Sequence, residues 1–376
     1  MIDQVISLFD ALYRQTGLAQ LYWGNLVMIA VGAFMIYLAV AKKCEPFLLI
    51  GIGFACIVVN IPGSDLALEG GLFNYAYKGV SLLIVPPLIF LGVGAITDFG
   101  PMIANPKLVL LGAGAHLGIF VALILAKLIG FNISEAGAIG IIGGADGPMA
   151  IFVTMKLAPH LISPVSVAAY SYMALMPIIQ PPVMRLLTTK AERNIQMAQI
   201  RKVSRVEKII FPLVIAAIVN LFFPPVAPLV TMLMLGNLLR EVLIVGRLAE
   251  TAGGTLLNVV TIVLTVAIGS TMRAESFLSF QTLQIVGLGL VAFVCGTASG
   301  VITAKIMNLF LKTKINPLIG SAGIASVPIA ARVSHMVANK ENPRLFLIYH
   351  AMGPNLAGVF GTAISGGILL ALLGVK

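Results

Sequence analysis

Charged residues are scarce in this chain of 376 residues. They make up 10% of it, whereas a soluble domain carries roughly 25%. Hydrophobic residues make up 59%, and the mean hydropathy is +1.04. These values exclude a soluble globular protein and predict one polytopic membrane domain over residues 1–376. The net charge of +10 does not indicate nucleic acid binding, because the basic residues cluster in short loops between apolar spans.

Cysteine and the common catalytic motifs are also poorly represented. Cys44, Cys56 and Cys295 are isolated, with no CxxC or CxxxH spacing, so the sequence predicts neither a disulfide framework nor a zinc site. No GxxxxGK[ST] or dinucleotide-binding fingerprint is present, which argues against ATP as the energy source. The sequence also shows neither the Ser, His and Asp pattern of a catalytic triad nor the paired carboxylates of a soluble hydrolase.

Long runs of apolar residues make up most of the chain. Runs of about 17–25 residues predict an all-α protein with about ten transmembrane helices. Basic residues concentrate between 186 and 208, which places this loop in the cytoplasm by the positive-inside rule. The predicted spans are 24–40, 47–62, 79–97, 108–130, 161–184, 209–223, 226–246, 255–270, 283–311 and 345–373.

Two shorter runs, 136–157 and 316–333, are interrupted by glycine and proline. If either run crossed the membrane fully, the basic loops that follow would lie on the wrong side. We therefore predict that both are broken, re-entrant segments that enter from opposite faces. This arrangement is typical of inverted-repeat transporters. The corresponding halves would be 79–185 and 226–373.

The first interrupted run contains a single acid, Asp146, in the stretch Gly143 to Pro148, which reads GGADGP. An ionised residue at membrane depth is costly and usually marks an ion or proton path. Backbone carbonyls released at the break would complete a site for a hard cation. The alternative is a kinked helix with a structurally paired acid.

The second interrupted run parallels the first. Residues 143–153 read GGADGPMAIFV, and residues 323–333 read GIASVPIAARV. A Tyr-x-x-Met follows each, at Tyr170 and at Tyr349. The halves would then meet at the membrane midplane, although chance similarity in Gly/Ala-rich sequence is an alternative.

Four further polar residues lie in apolar surroundings. Asn355 either provides an amide oxygen as a cation ligand or forms a hydrogen bond between helices. Tyr172 offers a hydroxyl as cation ligand or proton donor, or packs between helices. Arg332 requires an anionic partner, or else extends to the cytoplasmic surface. Asn316 and Arg332 line the second interrupted run. From the residues alone, the chain is predicted to be a cation transporter with a midplane acid and a nearby arginine.

Four motifs carry a resemblance to a known family: 143–148 (GGADGP), 170–182 (YSYMALMPIIQPP), 314–320 (KINPLIG) and 353–355 (GPN). They resemble the beta subunit of the sodium-pumping biotin-dependent decarboxylases, which act on oxaloacetate, methylmalonyl-CoA, glutaconyl-CoA or malonate. The resemblance extends over essentially the whole chain, from about Gly24 to Leu373.

The resemblance implies a membrane subunit that decarboxylates carboxybiotin and exports sodium across the bacterial cytoplasmic (inner) membrane. Biotin would reside on a biotin carrier subunit. The other expected partners are a soluble carboxyltransferase alpha subunit, a small single-span gamma- or delta-type subunit and further copies of the beta subunit. A sodium-coupled carboxylate symporter, a sodium/proton antiporter and a passive membrane anchor are the alternatives.

The resemblance implies that the family's functional positions correspond to Asp146, Tyr172, Asn316, Gly320, Arg332 and Asn355. The chemistry of these residue types then suggests the role of each. Sodium is expected at Asp146 and Asn355, with Tyr172 as a further ligand or a proton donor. Carboxybiotin is expected at Arg332 and Asn316, and the Gly320 position belongs to the same set. Where oxaloacetate-specific members have a serine, this chain has Ala325, which favours a CoA-ester decarboxylase.

Overall fold

The computed structural model describes residues 13–14 and 16–374. Every regular element in these residues is helical, which confirms the predicted all-α class. The helices before the basic loop are α1 (Trp23–Ala41), α2 (Pro46–Val59), α3 (Leu72–Ser81), α4 (Val85–Ile96), α5 (Gly100–Ala104), α6 (Val109–Ala115), α7 (Leu117–Ile129), α8 (Ile133–Gly140), α9 (Gly147–Leu157) and α10 (Ile162–Leu187). The remaining helices are α11 (Lys190–Arg193), α12 (Arg205–Phe222), α13 (Ala227–Glu241), α14 (Gly246–Thr251), α15 (Leu257–Ser270), α16 (Ala274–Phe277), α17 (Phe280–Phe310), α18 (Ile329–Glu341) and α19 (Ile348–Leu373).

Six helical stretches in the described residues are long and apolar enough to cross a membrane. A seventh is possible if α3 and α4 together form one broken span. The six stretches are Trp23–Ala41, Pro106–Ile129, Pro159–Leu187, Gly246–Ser270, Phe280–Phe310 and Ile348–Leu373.

The predicted count of about ten spans is therefore not confirmed. A crossing helix needs about 20 residues, but α2 has 14 and α13 has 15. Helix α12 has 18 residues and carries three charges in its first turn, on Arg205, Glu207 and Lys208. These three helices therefore lie outside the stretches that length and composition identify as spans.

The described chain divides into two compact units. The first comprises the described residues before Pro86 together with Val259–Leu283, and helices α1 and α2 pack closely within it. A Cβ on Gly32 in α1 would lie 2.7 Å from the carbonyl oxygen of Gly53 in α2. The second unit comprises Pro86–Asn258 and the chain from Gln284 onwards, and it contains both interrupted runs and the basic loop. The division into repeat halves stays a prediction.

The first interrupted run is broken where the sequence predicts. Helix α8 ends at Gly140, and a 3-10 turn follows over Ile141–Gly144. Ala145 then adopts a left-handed conformation with φ 51°, which is unfavourable for a residue with a Cβ and cannot continue a helix. Asp146 caps the N-terminus of α9. We call residues 141–146 the first break.

The second interrupted run is broken over a longer stretch. Asn316 caps a 3-10 helix over Pro317–Gly323. Ile324 is extended, with ψ 141°, and helix α18 begins only at Ile329. We call residues 317–328 the second break. That the two segments enter from opposite faces stays a prediction.

Glycines allow the second break to lie directly against its neighbours. A Cβ on Gly358 of α19 would lie 2.4 Å from the carbonyl oxygen of Gly323. A Cβ on Gly320 would lie 2.1 Å from the carbonyl oxygen of Gly300 in α17. Such distances leave room only for hydrogen, so backbone contacts backbone at both places.

Replacing Gly358 by valine should therefore destabilise the protein. The side chain would push α19 away from the second break, and overpacking of this kind costs about 1–3 kcal/mol or more. Thermal unfolding of the purified protein in detergent measures the loss. Gly287→Ala is the matched control, because a Cβ there meets nothing within 4 Å. It should leave the melting temperature unchanged or raise it. Equal melting of Gly358→Val and wild type would contradict the close approach.

Candidate functional site

The two breaks are joined by a backbone hydrogen bond. The amide of Ala325 donates to the carbonyl of Gly144 over 2.9 Å. A Cβ on Gly144 would lie 2.8 Å from the hydroxyl oxygen of Thr362, so α19 lies against the same point. Ser326, beside Ala325, donates its hydroxyl to the sulfur of Met176 in α10 over 3.1 Å. The breaks, α10 and α19 thus come together at one place inside the second unit.

Asp146 lies at this junction and is buried. Its Oδ1 accepts the backbone N–H of Met149 over 3.0 Å, as an N-cap does. Among the described residues, no lysine, arginine or histidine forms an ion pair with Asp146, and no group there donates to its second oxygen. The carboxylate is therefore not explained by a structural ion pair, and it keeps one oxygen for a ligand.

Asn355 is fully buried, and its amide group holds the second break. Nδ2 donates to the carbonyl oxygens of Ala322 (3.0 Å) and Ile324 (2.7 Å), with Ser326 further away at 3.4 Å. Because carbonyls only accept hydrogen bonds, this orientation of the amide is determined. The Oδ1 atom has no hydrogen-bond partner in the described part of the chain. It is an oxygen of the kind that binds a hard cation.

The two tyrosines of the YSY sequence have different surroundings. Tyr172 donates its hydroxyl to the backbone carbonyl of Val286 in α17. Tyr170 is buried, and its hydroxyl has no partner among the described residues. A Cβ on Gly147, next to Asp146, would lie 2.7 Å from this hydroxyl oxygen. The sequence predicts a site role for Tyr172, but the unpaired hydroxyl beside the acid belongs to Tyr170.

Arg332 lies on the first turn of α18, directly after the second break. Its side chain is exposed, and it forms no ion pair or hydrogen bond with the residues that the structure describes. A guanidinium without a protein partner is able to bind a carboxylate through two parallel hydrogen bonds.

Asn316 and Gly320 have structural contacts in this conformation. Asn316 is fully buried, and its Nδ2 donates to the carbonyls of Arg193 (2.8 Å) and Ile195 (3.0 Å) in the basic loop. Its Oδ1 accepts the N–H of Leu318. Gly320 provides the close contact with α17 described above. Both residues therefore position the start of the second break, and a direct contact with a cofactor stays a prediction for each.

No group of three or more His, Cys, Asp or Glu side chains that could hold a metal ion occurs among the described residues. The available ligands at the junction are instead one carboxylate, amide oxygens, a phenol and backbone carbonyls. Such a set suits a small hard cation and not a transition metal.

Comparison with known proteins identifies the family of the chain. The profile of the family described as "Na+-transporting oxaloacetate decarboxylase beta subunit" matches residues 24–373. The chain belongs to this family. It is therefore a multi-pass subunit of the bacterial inner membrane, and it is the membrane component of a sodium-translocating decarboxylase.

Individual relatives are similar over their full length. The glutaconyl-CoA decarboxylase beta subunit of Acidaminococcus fermentans is 52% identical over 375 residues, covering 100% of both chains. The methylmalonyl-CoA decarboxylase beta subunit of Propionigenium modestum is 53% identical, covering 96% of this chain and 98% of the relative. The oxaloacetate decarboxylase beta chain of Klebsiella pneumoniae is 44% identical, with coverage of 96% and 98%.

Within this decarboxylase subunit, a buried histidine also contacts the junction. His116 lies between α6 and α7, with Nδ1 2.5 Å from the carbonyl of Gly112 and Nε2 2.6 Å from the hydroxyl of Thr362. A carbonyl requires a donor, so Nδ1 carries hydrogen. Neither His116 nor Thr362 is among the predicted site residues, because a lone histidine or threonine in an apolar helix carries no signal of its own.

A pocket of about 480 Å³ lies beside the basic loop, and none of the six predicted site residues lines it. Asp98 lies there, 2.7 Å from Lys208 Nζ. Burial alone would raise the pKa of Asp98, but hydrogen bonds from Lys208 and Gly100 and the charges of Lys208 and Arg240 lower it below its ordinary value. Asp98 is thus an ion-paired carboxylate, whereas Asp146 forms no ion pair in the described part of the chain.

Tyr170→Phe should separate folding from sodium binding. Removing a buried hydroxyl that has no partner should leave the free energy of unfolding unchanged or raise it by about 1 kcal/mol. The sodium concentration that gives half of the maximal thermal stabilisation should rise, roughly tenfold if the hydroxyl is a ligand. Thermal unfolding over a sodium titration measures both quantities.

The matched control is Tyr349→Phe, at the corresponding Tyr-x-x-Met of the second half. Tyr349 is 62% exposed, so neither quantity should change. An unaltered sodium titration in Tyr170→Phe would exclude its hydroxyl from the ion site.

Proposed function

We propose that this subunit decarboxylates carboxybiotin presented by a partner subunit and couples that step to proton uptake and sodium export. The observation that carries the proposal is the junction of the two breaks. It joins the first break, which carries Asp146, to the second break, which is held by the amide nitrogen of Asn355 on α19. The second break continues directly into the first turn of α18, where Arg332 lies.

Sodium is proposed to bind to Asp146 and Asn355, with carbonyls of the two breaks completing its ligands. Carboxylate and amide oxygens match the preference of a hard cation. Tyr172 remains a proposed ligand or proton donor. That role requires its hydroxyl to leave the carbonyl of Val286, to which it donates here.

Arg332 is proposed to hold the carboxylate of carboxybiotin. Asn316 would assist by holding the basic loop against the start of the second break, and Gly320 by keeping that segment close to α17. In the reaction, the bond between the carboxylate carbon and the ureido nitrogen breaks and carbon dioxide leaves. The nitrogen keeps the electron pair and takes up a proton.

Asp146 would link this proton to sodium, because a carboxylate binds either cation but not both at once. Decarboxylation would then require an exchange of occupancy at the ion site, and each process would depend on the other. Moving one charge against about 100 mV requires roughly 2.3 kcal/mol, so a decarboxylation step need supply only a few kcal/mol per ion.

A CoA ester is the proposed substrate class of the complete complex. The glutaconyl-CoA and methylmalonyl-CoA relatives are 52–53% identical to this chain, whereas the oxaloacetate relatives are 44–45% identical. Ala325 at the position of the oxaloacetate-type serine agrees with this preference. The proposed partners are a biotin carrier, a soluble carboxyltransferase alpha subunit, a small gamma- or delta-type membrane subunit and further beta subunits.

Sodium transport by the reconstituted complex tests the proposal. Liposomes containing the complex should take up radioactive sodium when one acyl-CoA substrate is added, and avidin should block the uptake. Uptake that needs only an ion or carboxylate gradient, without a biotinylated partner, would instead identify a secondary transporter.

Asp146→Asn should abolish both sodium uptake and sodium-stimulated decarboxylation, because the site loses its charge and its exchangeable proton. Both activities are measured in the same liposomes. Asp98→Asn is the matched control, since Asp98 is ion-paired beside the basic loop, and an ion pair of this kind is worth about 1 kcal/mol or less. Sodium-stimulated decarboxylation that survives in Asp146→Asn would refute the assignment.

A further inference from the structure

A second buried amide holds the second break, and it lies outside the residues discussed so far. Gln180 is fully buried on α10, between two of the prolines inside that helix. Its Nε2 donates to the carbonyl of Ser321 over 3.0 Å, and more weakly to the hydroxyl of Thr297 at 3.4 Å. A carbonyl only accepts hydrogen bonds, so the nitrogen must face Ser321. The orientation of the Gln180 amide is therefore determined.

This orientation leaves the amide oxygen without a donor. Gln180 Oε1 is buried and has no hydrogen-bond partner among the described residues. A buried polar atom without a partner is unfavourable and requires an explanation. Asn355 shows the same pattern, with its nitrogen on carbonyls of the second break and its oxygen unpaired. A ligand that binds transiently would satisfy either oxygen.

Contacts along the second break place Gln180 between the basic loop and the ion site. Asn316, at its start, is bound to the basic loop. Gln180 holds Ser321, and Asn355 holds the next carbonyls, at Ala322 and Ile324. Ala325 then joins the first break. From its start to its end, the second break therefore contacts first the basic loop, then Gln180, then Asn355 and finally the first break, which contains Asp146.

The position of Gln180 along helix α10 independently places it between the basic loop and the interior of the protein. Gln180 lies eight residues from Tyr172 and eight residues from Thr188, where the helix ends at the basic loop. At 1.5 Å per residue, each separation is about 12 Å along the axis. Because the positive-inside rule places the basic loop in the cytoplasm, Gln180 lies on the cytoplasmic side of Tyr172.

We propose that Gln180 Oε1 binds sodium on its way from the cytoplasm to the site at Asp146 and Asn355. An amide oxygen replaces one water of a hard cation without adding charge. A neutral ligand binds the ion weakly enough to release it to the next site, as ion conduction requires. This inference rests on the proposed function, and it predicts an effect that depends on the side from which sodium arrives.

Inverted membrane vesicles that contain the complete complex test the inference, because the cytoplasmic face then points outwards. The rate of substrate decarboxylation is measured against external sodium. Gln180→Met keeps the length and volume of the side chain but removes the oxygen. It should raise the half-saturating external sodium roughly tenfold, while the rate at saturating sodium stays within twofold of wild type. Sodium loaded inside the vesicles should inhibit both proteins at the same concentration. Gln180→Leu serves if the methionine variant does not assemble.

Gln180→Glu separates a ligand from a residue that only holds the second break. Glutamate keeps an oxygen but loses the amide hydrogens that bind Ser321. A ligand role predicts half-saturating external sodium within about threefold of wild type. If Gln180 only holds the segment, Gln180→Glu should behave like Gln180→Met, and that outcome would overturn the proposal.

Asn60→Leu is the matched control for loss of a buried amide. Asn60 Nδ2 donates to the carbonyls of Cys56 and Met272, and its Oδ1 accepts the N–H of Ala274, so every side of the amide is paired. This variant should melt at a lower temperature but keep the half-saturating sodium of wild type.

Failure of the inference and failure of the proposed function are distinguishable. Wild-type vesicles that show no sodium-stimulated decarboxylation would refute the proposed function. Stimulated wild-type vesicles with unchanged half-saturation in Gln180→Met would overturn the role of Gln180 alone.

Discussion

Backbone groups released by a broken helix must find partners inside the protein when the break lies at membrane depth. In this chain they find them in each other and in two buried amides. The N–H of Ala325 binds the carbonyl of Gly144, while Asn355 and Gln180 bind carbonyls further along the second break. These contacts hold two irregular segments together inside one helical unit. Neither break is free to move without changing the hydrogen bonds of the other.

The same contacts determine which atoms are left for a ligand. Because the amide hydrogens of Asn355 and Gln180 are used on carbonyls, their oxygens are unpaired. Asp146 contributes a carboxylate without an ion-pair partner, and Tyr170 a hydroxyl without a partner in the described residues. The interior therefore presents oxygen atoms, which favours a hard cation. Arg332 follows the second break in the chain, so a movement of this segment also changes the position of Arg332.

Part of this site was predictable from sequence. An acid among glycines and a proline in an apolar run indicates a break with a functional group, and Asp146 lies at such a break. Tyr170 and Tyr172 could not be separated, because residues two apart on a helix face different neighbours and the sequence does not identify them. The predicted count of about ten spans is likewise not confirmed by helix length and composition. Hydropathy registers the apolar character of α2, α12 and α13, whereas the short length of α2 and α13 and the charges at the start of α12 are seen only once the helix bounds are known.

The sequence by itself determined the membrane class, the all-helical fold, the positions of the two breaks and the family. These follow from composition, from the local effects of glycine and proline and from motifs in a set order. Only the tertiary structure decided that the breaks touch, that Asn316 holds the basic loop and that Gln180 has an unpaired oxygen. Each of these depends on hydrogen bonds between residues more than 100 positions apart, and the direction of such bonds is set by how whole helices pack.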